Sequence, residues 1–219
     1  MTQTIKHHLS DALLMAYSAG SLPEAFSLTV AAHVSMCDEC RARLGSFDAV
    51  GGALIEALDT VDMAQDSLDA TLALIGQSPD TPVNGPDRPV KAKGVLPAPL
   101  QDYIGGDLEA VKWRPAGLGV KQAILPTAGR AVARLLCIPA GMAVPDHGHL
   151  GMELTLVLQG AFVDESDQFG RGDIEIASEE VNHTPVAAPG MDCICLAATD
   201  APLVFKGLMP RLAQPFLRI

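Results

Sequence analysis

Ser10 precedes an apolar run with helical spacing, Leu13, Leu14 and Tyr17, and Gly20 follows where a left-handed residue would end a helix. A first helix is predicted there. Ser21-Leu-Pro23-Glu24 combines a hydroxyl cap, a first-turn proline and an acid three residues after the cap, so a second helix should run from about 22 to 35 and carry His33. A third, about 38 to 58, sets Leu44, Phe47, Ala49 or Val50, Leu54 and Leu58 on one side, with Gly51-Gly52 as a weak point. A fourth, Asp66 to Ile75, aligns Leu68, Leu72 and Ile75 on one stripe. Nothing within that segment says whether the stripe meets a core or a partner.

The pattern changes near residue 77. Six prolines lie between Ser78 and Pro99, with Asn84-Gly85 among them, a composition that suits neither a helix nor a sheet ladder and reads as a linker. Beyond it, short Val/Ile/Leu runs end in Gly, Pro or Asp: 119–125, 131–138, 153–158, 173–177, 193–197 and 203–205. Trp113-Arg-Pro should open this region. Such spacing predicts an all-β sandwich or barrel. Two domains follow: an all-α bundle over 1–77, a Pro-rich linker over 78–100, and an all-β unit over 101–219.

Composition narrows the function classes. Hydrophobic residues make up 48% of the 219 and charged residues 19%, which excludes wholesale disorder. The formal net charge of -11 disfavours direct nucleic-acid binding. It is concentrated early, since residues 1–76 carry Lys6, Arg41 and Arg43 against ten Asp/Glu, a net of -7, and this suits a basic partner. No apolar run approaches the roughly 18 to 20 residues of a membrane span. Asp11 interrupts any export signal, so a cytoplasmic location is expected. In that reducing compartment the five cysteines are thiols or metal ligands before they are disulfides. Cys193 and Cys195 share one face of a predicted strand, which leaves a redox pair open, but the expected role for both, and for Cys137, is that of buried apolar residues.

Two constellations carry candidate chemistry. His33-Val-Ser-Met-Cys37-Asp-Glu-Cys40 spells H-x3-C-x2-C: His33 and Cys37 share a helix face, and the C-x2-C step brings two thiolates to one ion. Zinc suits this donor set, with His8 or His7 as the fourth ligand. The second, Gly141 to Gly160, reads G-x5-H-x-H-x3-E-x6-G. His147 and His149 face one way on a strand, Glu153 returns on the next, and His183 stands at a spacing that can complete the set. Zn, Mn, Fe and Ni all fit three imidazoles and a carboxylate.

The second pattern resembles the first motif of the cupin superfamily, small β-barrels that hold a metal in the barrel mouth. The second cupin motif, G-x5-P-x-G-x2-H, is matched from Gly172 at its glycine and at His183, with Ser178 and Glu180 where Pro and Gly are usual. The amino-terminal H-x3-C-x2-C domain resembles that of the zinc-containing anti-sigma factors. Segments His7-His-Leu-Ser-Asp-Ala-Leu-Leu, Ala32 to Arg43 and Gly172-Asp-Ile-Glu-Ile carry the resemblance to those that add a linker and a cupin and serve the bacterial singlet-oxygen response. The resemblance implies zinc on His8, His33, Cys37 and Cys40, and a second metal, zinc in the family, on His147, His149, Glu153 and His183. It also implies an extracytoplasmic-function sigma factor as partner, with the cupin needed for the oxidant response and open to a small-molecule or oxidant ligand. The competing reading is a cupin dioxygenase or isomerase with an amino-terminal dimerisation module. A ligand-storing cupin is a third.

Overall fold

The structure is a computed structural model and describes residues 4–77, 94–178 and 182–205. Four helices come first: α1 Asp11–Ser18, α2 Glu24–Met36, α3 Asp38–Glu56 and α4 Ser67–Gln77. Ser10 caps α1, its side chain accepting from the Leu13 backbone N–H at 3.3 Å. Ser21 does not cap α2, contrary to expectation. Its hydroxyl donates to the Ala16 carbonyl at 3.0 Å, closing the preceding turn, and Pro23 occupies the cap position without a side-chain bond. Cys37 ends α2 and caps α3, its Sγ accepting from the Cys40 backbone N–H at 3.4 Å.

Residues 78–93 of the expected linker lie outside the described residues. Its last part is not structureless, however: α5, Ala98–Ile104, begins inside it. Pro99 sits in the first turn, where a missing N–H costs nothing, so proline density there does not forbid a helix. Asp107 accepts from the Val95 and Leu96 N–H groups, both at 2.8 Å, and Leu96 and Leu100 are buried.

Twelve strands follow: β1 Arg114–Gly117, β2 Val120–Ile124, β3 Val132–Ile138, β4 His147–His149, β5 Glu153–Gln159, β6 Ala161–Val163, β7 Gln168–Gly170, β8 Ile174–Ala177, β9 Asn182–His183, β10 Val186–Ala187, β11 Cys193–Thr199 and β12 Leu203–Phe205. A six-stranded antiparallel sheet runs β1-β2-β3-β11-β5-β8, and two three-stranded sheets, β10-β6-β7 and β12-β4-β9, complete the barrel. Gly160 turns β5 into β6 with φ +68, and a Cβ there would lie 2.8 Å from the Asp192 carbonyl oxygen, so only glycine fits.

Both faces of the large sheet are covered. Leu154, Leu156 and Leu158 alternate with Glu153, Thr155 and Val157 along β5, and all six are buried. The leucines join Leu135, Leu196 and Ile174 in a core shared with Leu14, Phe26, Leu28 and Val30 of the helices. Helix α2 is the element that lies on the sheet, touching β3, β5 and β11. On the other face, Val157, Cys193 and Cys195 pack with Ile138, Phe162 and Phe169 inside the barrel. Leu156→Ala removes a fully buried side chain from the shared core and should cost about 2–5 kcal/mol, read as a lower urea midpoint with an unchanged slope.

The predicted side of α3 divides. Leu44 and Phe47 pack against the core, whereas Val50, Leu54 and Leu58 are exposed. On α4, Leu68, Leu72 and Ile75 are 68, 56 and 64% exposed, so among the described residues the stripe is not core.

Candidate metal centres

Donor atoms of His8, His33, Cys37 and Cys40 all lie within 4.8 Å of one another. Three elements meet there: His8 ends the extended segment before α1, His33 lies in the last turn of α2, and the cysteines occupy the cap and first turn of α3. His33 Nε2 is 3.2 Å from Cys40 Sγ, and His8 Nδ1 is 3.3 Å from Cys37 Sγ and 3.7 Å from Cys40 Sγ. A tetrahedral zinc with bonds of about 2.3 Å to sulfur and about 2.0 Å to nitrogen has N···S edges of about 3.6 Å, so the donors present fit that ion. The outer ring nitrogens are held as well. His33 Nδ1 donates to the Gly172 carbonyl at 3.0 Å, and His8 Nε2 is 3.3 Å from Glu39 Oε2, the partners that fix a ligating imidazole's tautomer.

The choice between the amino-terminal histidines is made by position. His7 faces the barrel, its ring against Phe169 and its Nε2 3.2 Å from Asp167 Oδ2. It does not join the thiols.

Burial pushes the Cys40 thiol up to about 11, so in the metal-free chain it keeps its proton at neutral pH and a bound cation would displace it. Burial also drives His33 down to about 4 from an ordinary 6.5, against the opposing pull of the Gly172 carbonyl. In the metal-free chain the unfolded state therefore binds more protons between those two values. The stability owed to neutral His33 is complete above pH 6.5 and is lost as the pH falls toward 4, an effect on the order of 3 kcal/mol.

The second cluster lies in the barrel mouth, where β4 and β9 pair His147 with His183. His183 Nε2 is 3.2 Å from His147 Nε2 and 3.3 Å from His149 Nε2. Nitrogens on one ion at about 2.0–2.1 Å stand about 2.8–3.0 Å apart in octahedral and about 3.3–3.4 Å apart in tetrahedral geometry, so these spacings also fit a metal. Burial lowers His147 and His149, keeping both rings neutral as ligation requires. Glu153 is buried beside them, with Oε2 3.5 Å from His149 Nδ1 and Oε1 accepting from Thr155 Oγ1 at 2.9 Å. Its carboxylate is not among the donors that converge within 4.8 Å.

The outer nitrogens again have partners. His147 Nδ1 donates to the Pro145 carbonyl at 2.8 Å, and His183 Nδ1 lies 2.9 Å from Glu175 Oε1 and 3.2 Å from Asp164 Oδ2. Burial raises Glu175 to about 7 against the pull of His183. For Asp164 the raising effect of burial is outweighed by hydrogen bonds from Glu175 and Ser166, which hold it below the usual carboxylate range. Burial alone would lower His183, but bonding to Glu175 and its charge lift it to about 9.

A family model described as the ChrR Cupin-like domain matches residues 101–202. The anti-sigma-E factor ChrR of Cereibacter sphaeroides is 61% identical over 216 residues, 99% of this chain and 100% of that protein. The chain belongs to the ChrR family of anti-sigma factors. A crystal structure of Rhodobacter sphaeroides SigE in complex with the anti-sigma ChrR superposes with a TM-score of 0.79 at 60% identity, covering 90% of this chain and 100% of that one. The ChrR-family architecture, a helical amino-terminal region followed by a β-barrel cupin, is the one described above. No helix among the described residues is long and apolar enough to cross a membrane.

Around this ChrR-family scaffold, sequence reasoning missed Asp164, Glu175, Glu39 and Gly172 as partners of the clustered histidines. Glu39 stood in view as a carboxylate next to Cys40, and Gly172 and Glu175 lay within the motif segment that begins at Gly172, though none was singled out as a partner. Ser178 is exposed, and Glu180 lies outside the described residues.

Proposed function

We propose that this chain is a cytoplasmic anti-sigma factor that sequesters an extracytoplasmic-function sigma factor through its amino-terminal zinc domain, residues 1–77. It releases that factor in response to singlet oxygen or related oxidative stress sensed through the cupin, residues 101–219, and so regulates transcription. The observation that carries the reading is the exposed apolar surface in an acidic setting. Val50, Leu54, Ile55, Leu58, Leu68, Leu72 and Ile75 are all more than half exposed, in a region of net charge -7. In this reading these solvent-facing apolar side chains form the docking surface for the partner. A sigma factor offers basic DNA-binding and apolar polymerase-binding surfaces that such a face would cover.

In this reading His8, His33, Cys37 and Cys40 hold a structural zinc that fixes the angle between α2 and α3. His147, His149 and His183, with Glu153 as fourth donor from its place beside His149, hold the cupin metal: zinc, or Mn, Fe or Ni. When bound, that metal would supply Lewis-acid or redox chemistry toward an oxidant or small ligand, while the Pro145 carbonyl, Glu175 and Asp164 orient the imidazoles. No direct contact with nucleic acid or membrane is part of the proposal, and no catalytic turnover.

The test is co-purification with a co-expressed extracytoplasmic-function sigma factor, with and without zinc chelation, followed by illumination with a photosensitiser. A stable complex that chelation and singlet oxygen each dissociate is the expected result. Sigma and this chain eluting separately from gel filtration while zinc is bound would refute sequestration, and a complex indifferent to illumination would refute the sensing role.

A further inference from the structure

Residues 172–175, the turn that leads into β8 and the first half of that strand, lie between the two clusters and touch both. At their amino-terminal end, the Gly172 carbonyl accepts from His33 Nδ1 at 3.0 Å. Asp173 Oδ1 accepts the backbone N–H groups of Lys6 at 2.6 Å and His7 at 3.0 Å, and the Ile174 N–H donates to the His7 carbonyl at 3.3 Å. The segment bearing His8 is thus laid along the free edge of β8, the last strand of its sheet. Asp173 is itself buried and anchored, its Oδ2 accepting from the Gly170 N–H at 2.8 Å. Gly172 admits no side chain: its φ is +93, and a Cβ would lie 2.6 Å from Ile5 Cδ1.

Two residues along the same strand, Glu175 faces the barrel interior, opposite Thr155 of β5, and holds His183 Nδ1 at 2.9 Å. Only three residues along the chain separate Gly172, in the turn before β8, from Glu175 in the strand itself. Every link is a hydrogen bond between buried or half-buried groups.

We propose that β8 ties the two metal sites together: Gly172 and Asp173 position His33 and the His8 segment, Glu175 positions His183, and loss of order at the cupin site weakens metal binding at the amino-terminal site. Asp173 and Glu175 act as positioning residues, through the histidines they or their neighbours hold. The device supplies what the proposed function needs, a path from a sensing barrel to the domain that grips the partner. It rests on that reading's two metal sites, though not on the identity of the partner.

The experiment uses the full-length chain loaded with Co²⁺. Thiolate-to-cobalt charge transfer reports only on the Cys37/Cys40 site, because the other site's donors are nitrogen and oxygen. Asp173→Asn is expected to weaken Co²⁺ binding at the thiolate site by about 10- to 100-fold. Glu175→Gln and His183→Ala touch none of its four donors, yet each is expected to weaken it by about 5-fold or more. Leu156→Ala, which loosens the shared core without touching β8's polar contacts, should leave that affinity within about 2-fold of wild type. A coupling specific to β8 predicts all of these. Unchanged thiolate-site affinity in Glu175→Gln and His183→Ala overturns the proposal, and so does an equal loss in Leu156→Ala, which would mean general softening. Absence of the charge-transfer band in the wild-type chain overturns instead the metal-site reading beneath it. Should Asp173→Asn fail to fold by circular dichroism, the two remote variants decide the matter.

Discussion

Replacing Cys40 by alanine should empty the amino-terminal site of zinc and melt the helices around it. Four donors from three elements converge there, and Cys40 and His33 are both fully buried. Few other ties hold α3: only Cys40 is buried along its 19 residues, with Leu44 and Phe47 half-buried. Its Gly51-Gly52 pair also lowers helix propensity by about 1 kcal/mol per residue relative to alanine. A structural zinc contributes on the order of 10 kcal/mol of binding free energy, more than the total stability of many small domains. The expected result is the loss of one zinc per chain by elemental analysis, a fall in helical circular dichroism and no recoverable sigma complex. A chelator at neutral pH should reproduce all three in the wild type. Helices and complex surviving without zinc would contradict the structural role.

Changing Leu68, Leu72 and Ile75 together to glutamate should lower sigma affinity by at least about 100-fold while leaving the free chain as stable as before. The first half follows from interface energetics: buried anchor residues are each worth about 2 kcal/mol or more, and carboxylates in their place bring desolvation and repulsion. The second half follows from exposure, since side chains 56 to 68% open to solvent have little core packing to lose. Calorimetry of the complex and urea unfolding of the free chain measure the two halves separately. A destabilised free chain would place the stripe in a core after all, and unaltered affinity would move the contact elsewhere.

Reading the chain succeeded where local chemistry dictates local structure. His33 and Cys37 are one helical turn apart, and a cysteine able to cap the next helix brings Cys40 back to the same point, so H-x3-C-x2-C is legible without any tertiary information. Long strands such as β3, β5 and β11 announce themselves by composition. Strands β6, β7, β9 and β10, two or three residues each, are too short for any period to show. His7 and His8 could not be separated by spacing, because adjacent residues of an extended segment point opposite ways and only the neighbours decide which way is inward. Asp164 stands in the acidic run Asp164-Glu165-Ser166-Asp167 and Glu175 two residues after Asp173, and nothing in either segment says which carboxylate meets His183 when the barrel closes. The helix-on-sheet core was hidden for a similar reason. The alternation of Leu154, Leu156 and Leu158 with Glu153, Thr155 and Val157 marks a strand, and does not say that both of its faces are covered.

Cys193 and Cys195 line the apolar end of the barrel, and Cys195 is held well above the ordinary thiol range by its bond to Cys193 and by burial. A sulfur that keeps its proton is a poor nucleophile and a sluggish reductant. Buried and side by side on one face of β11, the two cysteines fill the barrel wall as small apolar residues.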